Sequence, residues 1–134
     1  MKSGSAHIII VAERTPRASH FESLIKEEYD ESVLVDVVSY KDLFKLGSDT
    51  EATLILIDLM DFERSAFKII ENLKETYPSA KVLALHIYQS QELISPLFEK
   101  GINGYISSDP TRQEFIKAVK KVMNGETYEP DFSS

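Results

Sequence analysis

The sequence predicts an α/β fold, a doubly wound five-stranded parallel sheet of strand order 2-1-3-4-5 sandwiched between helices. Three observations carry that reading. Five short apolar runs, HIIIVA, VLVDVV, TLILID, KVLALH and the weaker INGYIS, are mostly uninterrupted by polar residues, the mark of strands buried on both faces. Between them lie segments with apolar residues at helical spacing, and such alternation builds a parallel sheet with right-handed crossovers. The 134 residues suit one domain, able to bury roughly two thirds of its unfolded surface without a disulfide or metal.

In chain order, residues 1–6 read as an N-terminal tail and 7–125 as the domain. HIIIVA opens the sheet. Phe21, Leu24, Ile25 and Tyr29 form the stripe of the first helix, and VLVDVV and TLILID are the next two strands. Phe67, Ile69, Ile70, Leu73 and Tyr77 place the third helix before KVLALH. The fourth, in SQELISPLFEKG, meets Pro96, which has no N–H for the Glu92 carbonyl and disfavours helical geometry at Ser95. It is expected either to kink or to begin late, with Ser95 as N-cap. After INGYIS, Phe115, Ile116, Val119, Val122 and Met123 form the last helix. Thr111 and Glu114 cap its start, and Asn124 and Gly125 end it. Residues 126–134 read as an exit or linker.

Composition removes several functions. There is no cysteine, hence no disulfide, thiolate nucleophile or Cys-rich zinc site. No apolar run approaches the roughly 20 residues of a membrane span, and the start is too short and too charged for a signal peptide. A cytoplasmic location is the default. A net charge of −7 argues against direct nucleic-acid binding by this domain. KAVKK, with Arg112, puts four cations on the last helix, either a solvated face or a docking patch for an acidic partner.

Parallel α/β sheets place their functional crevice at the carboxyl ends of the strands. That singles out Ala12, Glu13, Asp58, His86, Ser107 and Ser108. Within LILIDLMDFE the apolar run stops at Asp58, an acid either for chemistry or simply accepting hydrogen bonds from loop amides.

YPSAKVLALHIY and GINGYISSDPTRQEFIKAVKKVMNGETY resemble the receiver domains of two-component response regulators, CheY-like and flavodoxin-like in fold, especially the NarL/LuxR-type branch. The resemblance runs from Ile8 to about Pro130. It sets Asp58 at the phosphoacceptor position, and His86, Tyr105 and Ser108 at the switch hydroxyl, switch aromatic and lysine positions. It implies phosphoryl transfer from a histidine kinase, with Mg²⁺ held by Asp58 and an acidic pair after the first strand. Such transfer depends on positioning and on cations that offset the phosphoryl charge.

Against that pattern the site is depleted. The acidic pair is Ala12 and Glu13, so metal binding through Glu13 and Asp58 is expected to be weak or lost. Ser108 replaces the lysine, removing a charge worth on the order of 1 to 4 kcal/mol at contact distance. His86 replaces a hydroxyl, and Asp61 and Glu63 add acids beside the site. A His86 imidazolium is one candidate for a replacement cation.

The expected function is therefore an atypical receiver acting by phosphorylation-independent contact, as a homodimer or with a signalling protein, through the fourth-helix and fifth-helix region or the neighbouring first helix. It would be the regulatory domain of a LuxR-type transcription factor or a stand-alone domain, with no enzyme activity or cofactor of its own. The alternative is a true phosphoacceptor at Asp58, using Mg²⁺. A flavin-binding role is disfavoured because AERTPRASH lacks the glycine that lets backbone amides approach a phosphate, and no G-x-S-x-G nucleophile motif occurs.

Overall fold

A computed structural model describes residues 6–13, 15–46, 52–61, 65–87 and 90–129. The sheet is five-stranded and parallel, in the order β2-β1-β3-β4-β5. Its strands are β1 (Ala6–Val11), β2 (Val33–Val38), β3 (Leu54–Asp58), β4 (Lys81–His86) and β5 (Gly104–Ser107). The helices are α1 (Thr15–Tyr29), α2 (Tyr40–Lys45), α3 (Ala66–Thr76), α4 (Gln91–Glu99) and α5 (Arg112–Met123). Every run read as a strand is one, in the expected order.

The sheet divides two apolar layers, because successive side chains of a strand point to opposite faces. Ile8, Ile10, Leu54 and Leu56 pack with Phe21, Ile25, Phe115 and Val119 of α1 and α5. Ile9, Ile55 and Ile57 pack with Ile69, Leu73, Ile94 and Leu97 of α3 and α4. Central β3 is buried along its whole length, whereas edge strand β2 leaves Leu34 and Val37 in solvent. Asp36, the single charge of β2, pairs with the His7 imidazole at 2.8 Å.

Four local expectations change. α4 does not begin late: it starts at Gln91 and runs through Pro96, with the Ser90 hydroxyl accepting the Glu92 N–H at 3.2 Å. The cap and the burial of Ile94 and Leu97 outweigh the one hydrogen bond that proline removes. Phe67 leaves the apolar stripe of α3 and lies exposed, its ring facing the Lys100 ammonium at 5.2 Å. Ala6 joins β1 instead of the tail. Tyr128, expected in the exit segment, lies beside β5: its N–H donates to the Asn103 carbonyl at 3.1 Å and its carbonyl accepts the Tyr105 N–H at 2.9 Å.

α5 keeps its expected ends. The Thr111 hydroxyl accepts the Glu114 N–H at 3.1 Å, and Gly125 turns the chain at φ +88°. Two of its four cations pair across the surface with acids on α1: Arg112 with Glu27, and Lys120 with Glu28 at 2.6 Å. No helix among the described residues is long and apolar enough to cross a membrane.

Gly104 is required by close approach. A Cβ there would meet Val122 Cγ2 at 2.7 Å and Leu83 Cδ1 at 2.8 Å, so α5 packs against bare backbone. Gly104→Ala is expected to destabilise the domain by about 1–3 kcal/mol, the usual cost of overpacking, measured as the shift in urea midpoint at constant m.

Candidate functional site

Parallel register brings the ends of β1, β3, β4 and β5 to one edge of the sheet. There Asp58 closes β3 opposite Leu85, and His86 closes β4 opposite Ser107. Asp58 is 1% exposed, and among the described residues no other polar or charged residue is so fully buried. A carboxylate removed from water needs both hydrogen bonds and opposite charge.

Both come from Arg17, in the first turn of α1. Its Nε donates to Asp58 Oδ2, and its Nη2 donates to Asp58 Oδ1 at 3.2 Å. The same Nη2 donates to the Ser108 carbonyl at 2.8 Å, and Nη1 reaches Asp109 Oδ1 at 3.5 Å. The Met60 N–H completes the shell of Oδ1 at 3.2 Å. A guanidinium is planar, permanently charged and fork-shaped, so it satisfies a carboxylate through two bonds where a lysine would offer one point charge.

The helix and an aromatic shelf position that fork. Arg17 stands four residues before Phe21, and its guanidinium carbon lies 5.4 Å from the Phe21 ring centroid. Phe21 stacks on Phe115 of α5, with centroids 5.1 Å apart and ring planes 17° from parallel. Beside Arg17 a groove of about 280 Å³ opens between the start of α1 and the β5–α5 loop, lined by His20, Phe21, Ser108, Asp109 and Pro110.

The other expected residues are placed as follows. His86 is half-buried at the same edge. Burial pushes its imidazole below the ordinary histidine value, against the upward pull of the Asp58 carboxylate. The cation that the structure sets against Asp58 is Arg17, a residue outside the candidates read from the sequence. Tyr105 is fully buried in the layer under α3 and α4. Ser108 enters the cluster through its main-chain carbonyl. Exposed Glu13 accepts the Tyr40 N–H at 2.8 Å, at the start of α2. Phe62 and Glu63 lie outside the described residues, as does the side chain of Asp61.

A divalent cation does not fit these donors. Both Asp58 oxygens are engaged by the guanidinium, Ala12 offers no ligand, and Glu13 already serves α2. Among the described residues, no group of three or more His, Asp or Glu is placed to hold a metal.

Arg17 is the residue that sequence reasoning missed. The signal was present, since position 17 falls in phase with Phe21, Leu24 and Ile25 on the buried stripe of α1. An arginine on an apolar stripe asks for a buried acid.

No protein-family model matches the chain. It is similar to the oxygen regulatory protein NreC of Staphylococcus haemolyticus (strain JCSC1435), 22% identical over 122 residues, 90% of this chain and 56% of that protein. The chain thus spans about half the length of the curated relatives it matches. A LuxR family DNA-binding response regulator from Silicibacter pomeroyi has a similar structure: TM-score 0.78, 24% identity, covering 93% of this chain and 96% of that one. The non-phosphorylated receiver domain of the stress response regulator RcsB from Escherichia coli gives TM-score 0.79 at 15% identity, covering 96% of this chain and 100% of that one. At such identities the structural likeness establishes the fold.

Two outcomes are expected from this geometry. Arg17→Met strands a buried carboxylate and should cost about 3–5 kcal/mol in urea unfolding, most of which Arg17→Met with Asp58→Leu recovers by replacing the pair with apolar contact. The second concerns pH. Folded His86 holds its proton less tightly than the unfolded side chain near 6.5, so below that pH the unfolded state binds more protons. Stability therefore falls as pH drops through 6.5, and His86→Gln should flatten that part of the slope, read from urea midpoints on either side.

Proposed function

We propose that this chain is an atypical receiver domain of the LuxR/NarL type, which signals by protein contact without phosphorylation of Asp58. The likeness of its curated relatives and structural neighbours to response regulators and their receiver domains supports the receiver assignment. One observation carries the rest: the Asp58 carboxylate is buried and already held by Arg17.

A phosphoacceptor must present a free oxygen to an incoming phosphoryl group and hold cations ready for the charge that arrives. Here the nucleophile is spent on an ion pair, one carboxylate of the metal-binding pair is Ala12, and the lysine position is Ser108. A ligand shifts a two-state equilibrium only by its preference for one state. With no phosphoryl group to bind, this site has no such preference to pass on.

The domain then acts through its surface, as the regulatory part of a LuxR-type transcription factor or as a docking module. The surface concerned is formed by α4, β5 and α5, with α1 beside it. Leu93 of α4 and Ile87 just before it are exposed there, and Lys117 projects from α5. Self-association or a signalling partner on this face would be constitutive. The competing reading, phosphorylation of Asp58 by a histidine kinase, draws on the survival of an aspartate at the end of β3.

The experiment is incubation with acetyl phosphate and Mg²⁺, read by intact mass, and light scattering with and without beryllofluoride. The expected result is an unchanged mass and an oligomeric state indifferent to the phosphate mimic. A phosphoryl adduct that Asp58→Asn abolishes, or a mimic-dependent change from monomer to dimer, would establish the competing reading.

A further inference from the structure

The donors around Asp58 reject the divalent cation that the fold family implies, and the arrangement that rejects it has a positive content. Arg17 bonds the end of β3 through Asp58 and the β5–α5 loop through the Ser108 carbonyl, while Asp109 lies 3.5 Å from its third nitrogen. One side chain of α1 therefore joins two parts of the sheet edge, the end of β3 and the β5–α5 loop. From the aromatic shelf of Phe21 and Phe115, the guanidinium reaches a carboxylate that is 1% exposed.

Resting on the receiver reading above, we infer that Arg17 is a tethered cation standing in for a dissociable metal ion at Asp58, and that it permanently ties α1 and the β5–α5 loop to the end of β3. A metal ion at such a place comes and goes with its concentration. A covalently attached guanidinium is present in every molecule, and the loop that leads into α5 keeps one position whatever the ionic composition around it. Arg17 is thus a positioning residue: it acts on the α5 face through Ser108 and Asp109, not by touching a substrate.

Local energetics agree. A cation in the first turn of a helix opposes the helix dipole, a cost of about 0.3–1 kcal/mol in exposed cases. Asp58 offsets that cost directly, since its charge lies against the same guanidinium. Asp109, 92% exposed, is a minor partner, and the tie rests on Asp58 and the Ser108 carbonyl.

NMR on the full chain tests this, with Mn²⁺ as the paramagnetic probe. In the wild-type protein the Arg17 Nε–H resonance is expected at the low-field position of a carboxylate-bound guanidinium, in slow exchange with water. Asp58→Asn should remove that signal and shift the amides of Ser108 and Asp109. Ala12→Asp restores a second carboxylate beside Asp58. With Arg17 present, Mn²⁺ should bind that variant at least about tenfold more weakly than it binds Ala12→Asp with Arg17→Met, because guanidinium and metal compete for the same oxygens. Affinity is read from broadening of the Met60 and Ser108 amides.

Equal Mn²⁺ affinity in the two variants overturns the inference, as does an Arg17 resonance indifferent to Asp58→Asn. Should the double variant fail to fold, the Asp58→Asn spectrum decides by itself. The outcome is separable from that of the preceding proposal. A missing Arg17 signal would sink the tie and leave the phosphorylation-independent reading resting on Ala12 and Ser108. A phosphoryl adduct would sink that reading even where the unmodified protein shows the tie.

Discussion

A carboxylate almost wholly withdrawn from water at the end of a central strand is the constraint around which this sheet edge is arranged. Asp58 follows four fully buried residues on β3 and is itself shut in by the loops and by α1. An isolated charge in that position would cost far more than a domain of this size can absorb, since net stabilities are only about 5–15 kcal/mol. The arginine fork removes most of that cost, and doing so fixes the rotation of α1, the place of Ser108 and the reason for an aromatic floor beneath the guanidinium. Hydrophobic burial supplies the driving force for folding. This one ion pair sets how the loops at the carboxyl edge are disposed over the finished sheet.

The same pair changes the character of the site. An exchangeable site needs unfilled valence at its centre, whereas here each acceptor oxygen of Asp58 already has a donor. Burial pushes the His86 imidazole below the ordinary histidine value, against the pull of Asp58. Among the described residues, the Asp58 carboxylate and the Arg17 guanidinium form the buried ion pair of this edge, with Asp109 out in solvent. The edge thus carries its own counter-ion, on a backbone fold shared with its structural neighbours.

The identity of all five strands and the end signals of α5 were legible in the sequence because they follow from local pattern, and strand order because five alternating units leave few topologies. A continuous apolar run such as LILI has few places to go except the middle of a covered sheet. The site was legible only by half. Asp58, His86 and Ser108 are the final residues of strands or their immediate successors, and topology alone takes them to one edge. Arg17 lies 41 positions before Asp58, and its role depends on the rotation of α1, which the apolar stripe implies but does not announce. Pro96 left two readings open, a kinked helix or a late start, and local propensity could not choose between them; the burial of Ile94 and Leu97 goes with the early start. Tyr128 was missed because a single residue pairing beside β5 leaves no periodic trace.

Edge strand β2 has a consequence for how the protein behaves when concentrated. Among the described residues no strand pairs with its outer rim, a row of backbone donors and acceptors, and Leu34 and Val37 lie exposed on the same strand. Were the strand VLVVVV, two molecules meeting rim to rim would find every backbone group matched and nothing to stop a third from joining. Asp36 interrupts that. It faces solvent, it is matched to His7 within its own molecule, and two copies aligned about this position would set one Asp36 against another. A single acid in the outermost strand thus sets like charge against like where two copies meet in register at this rim, a colloidal effect distinct from anything that happens around Asp58.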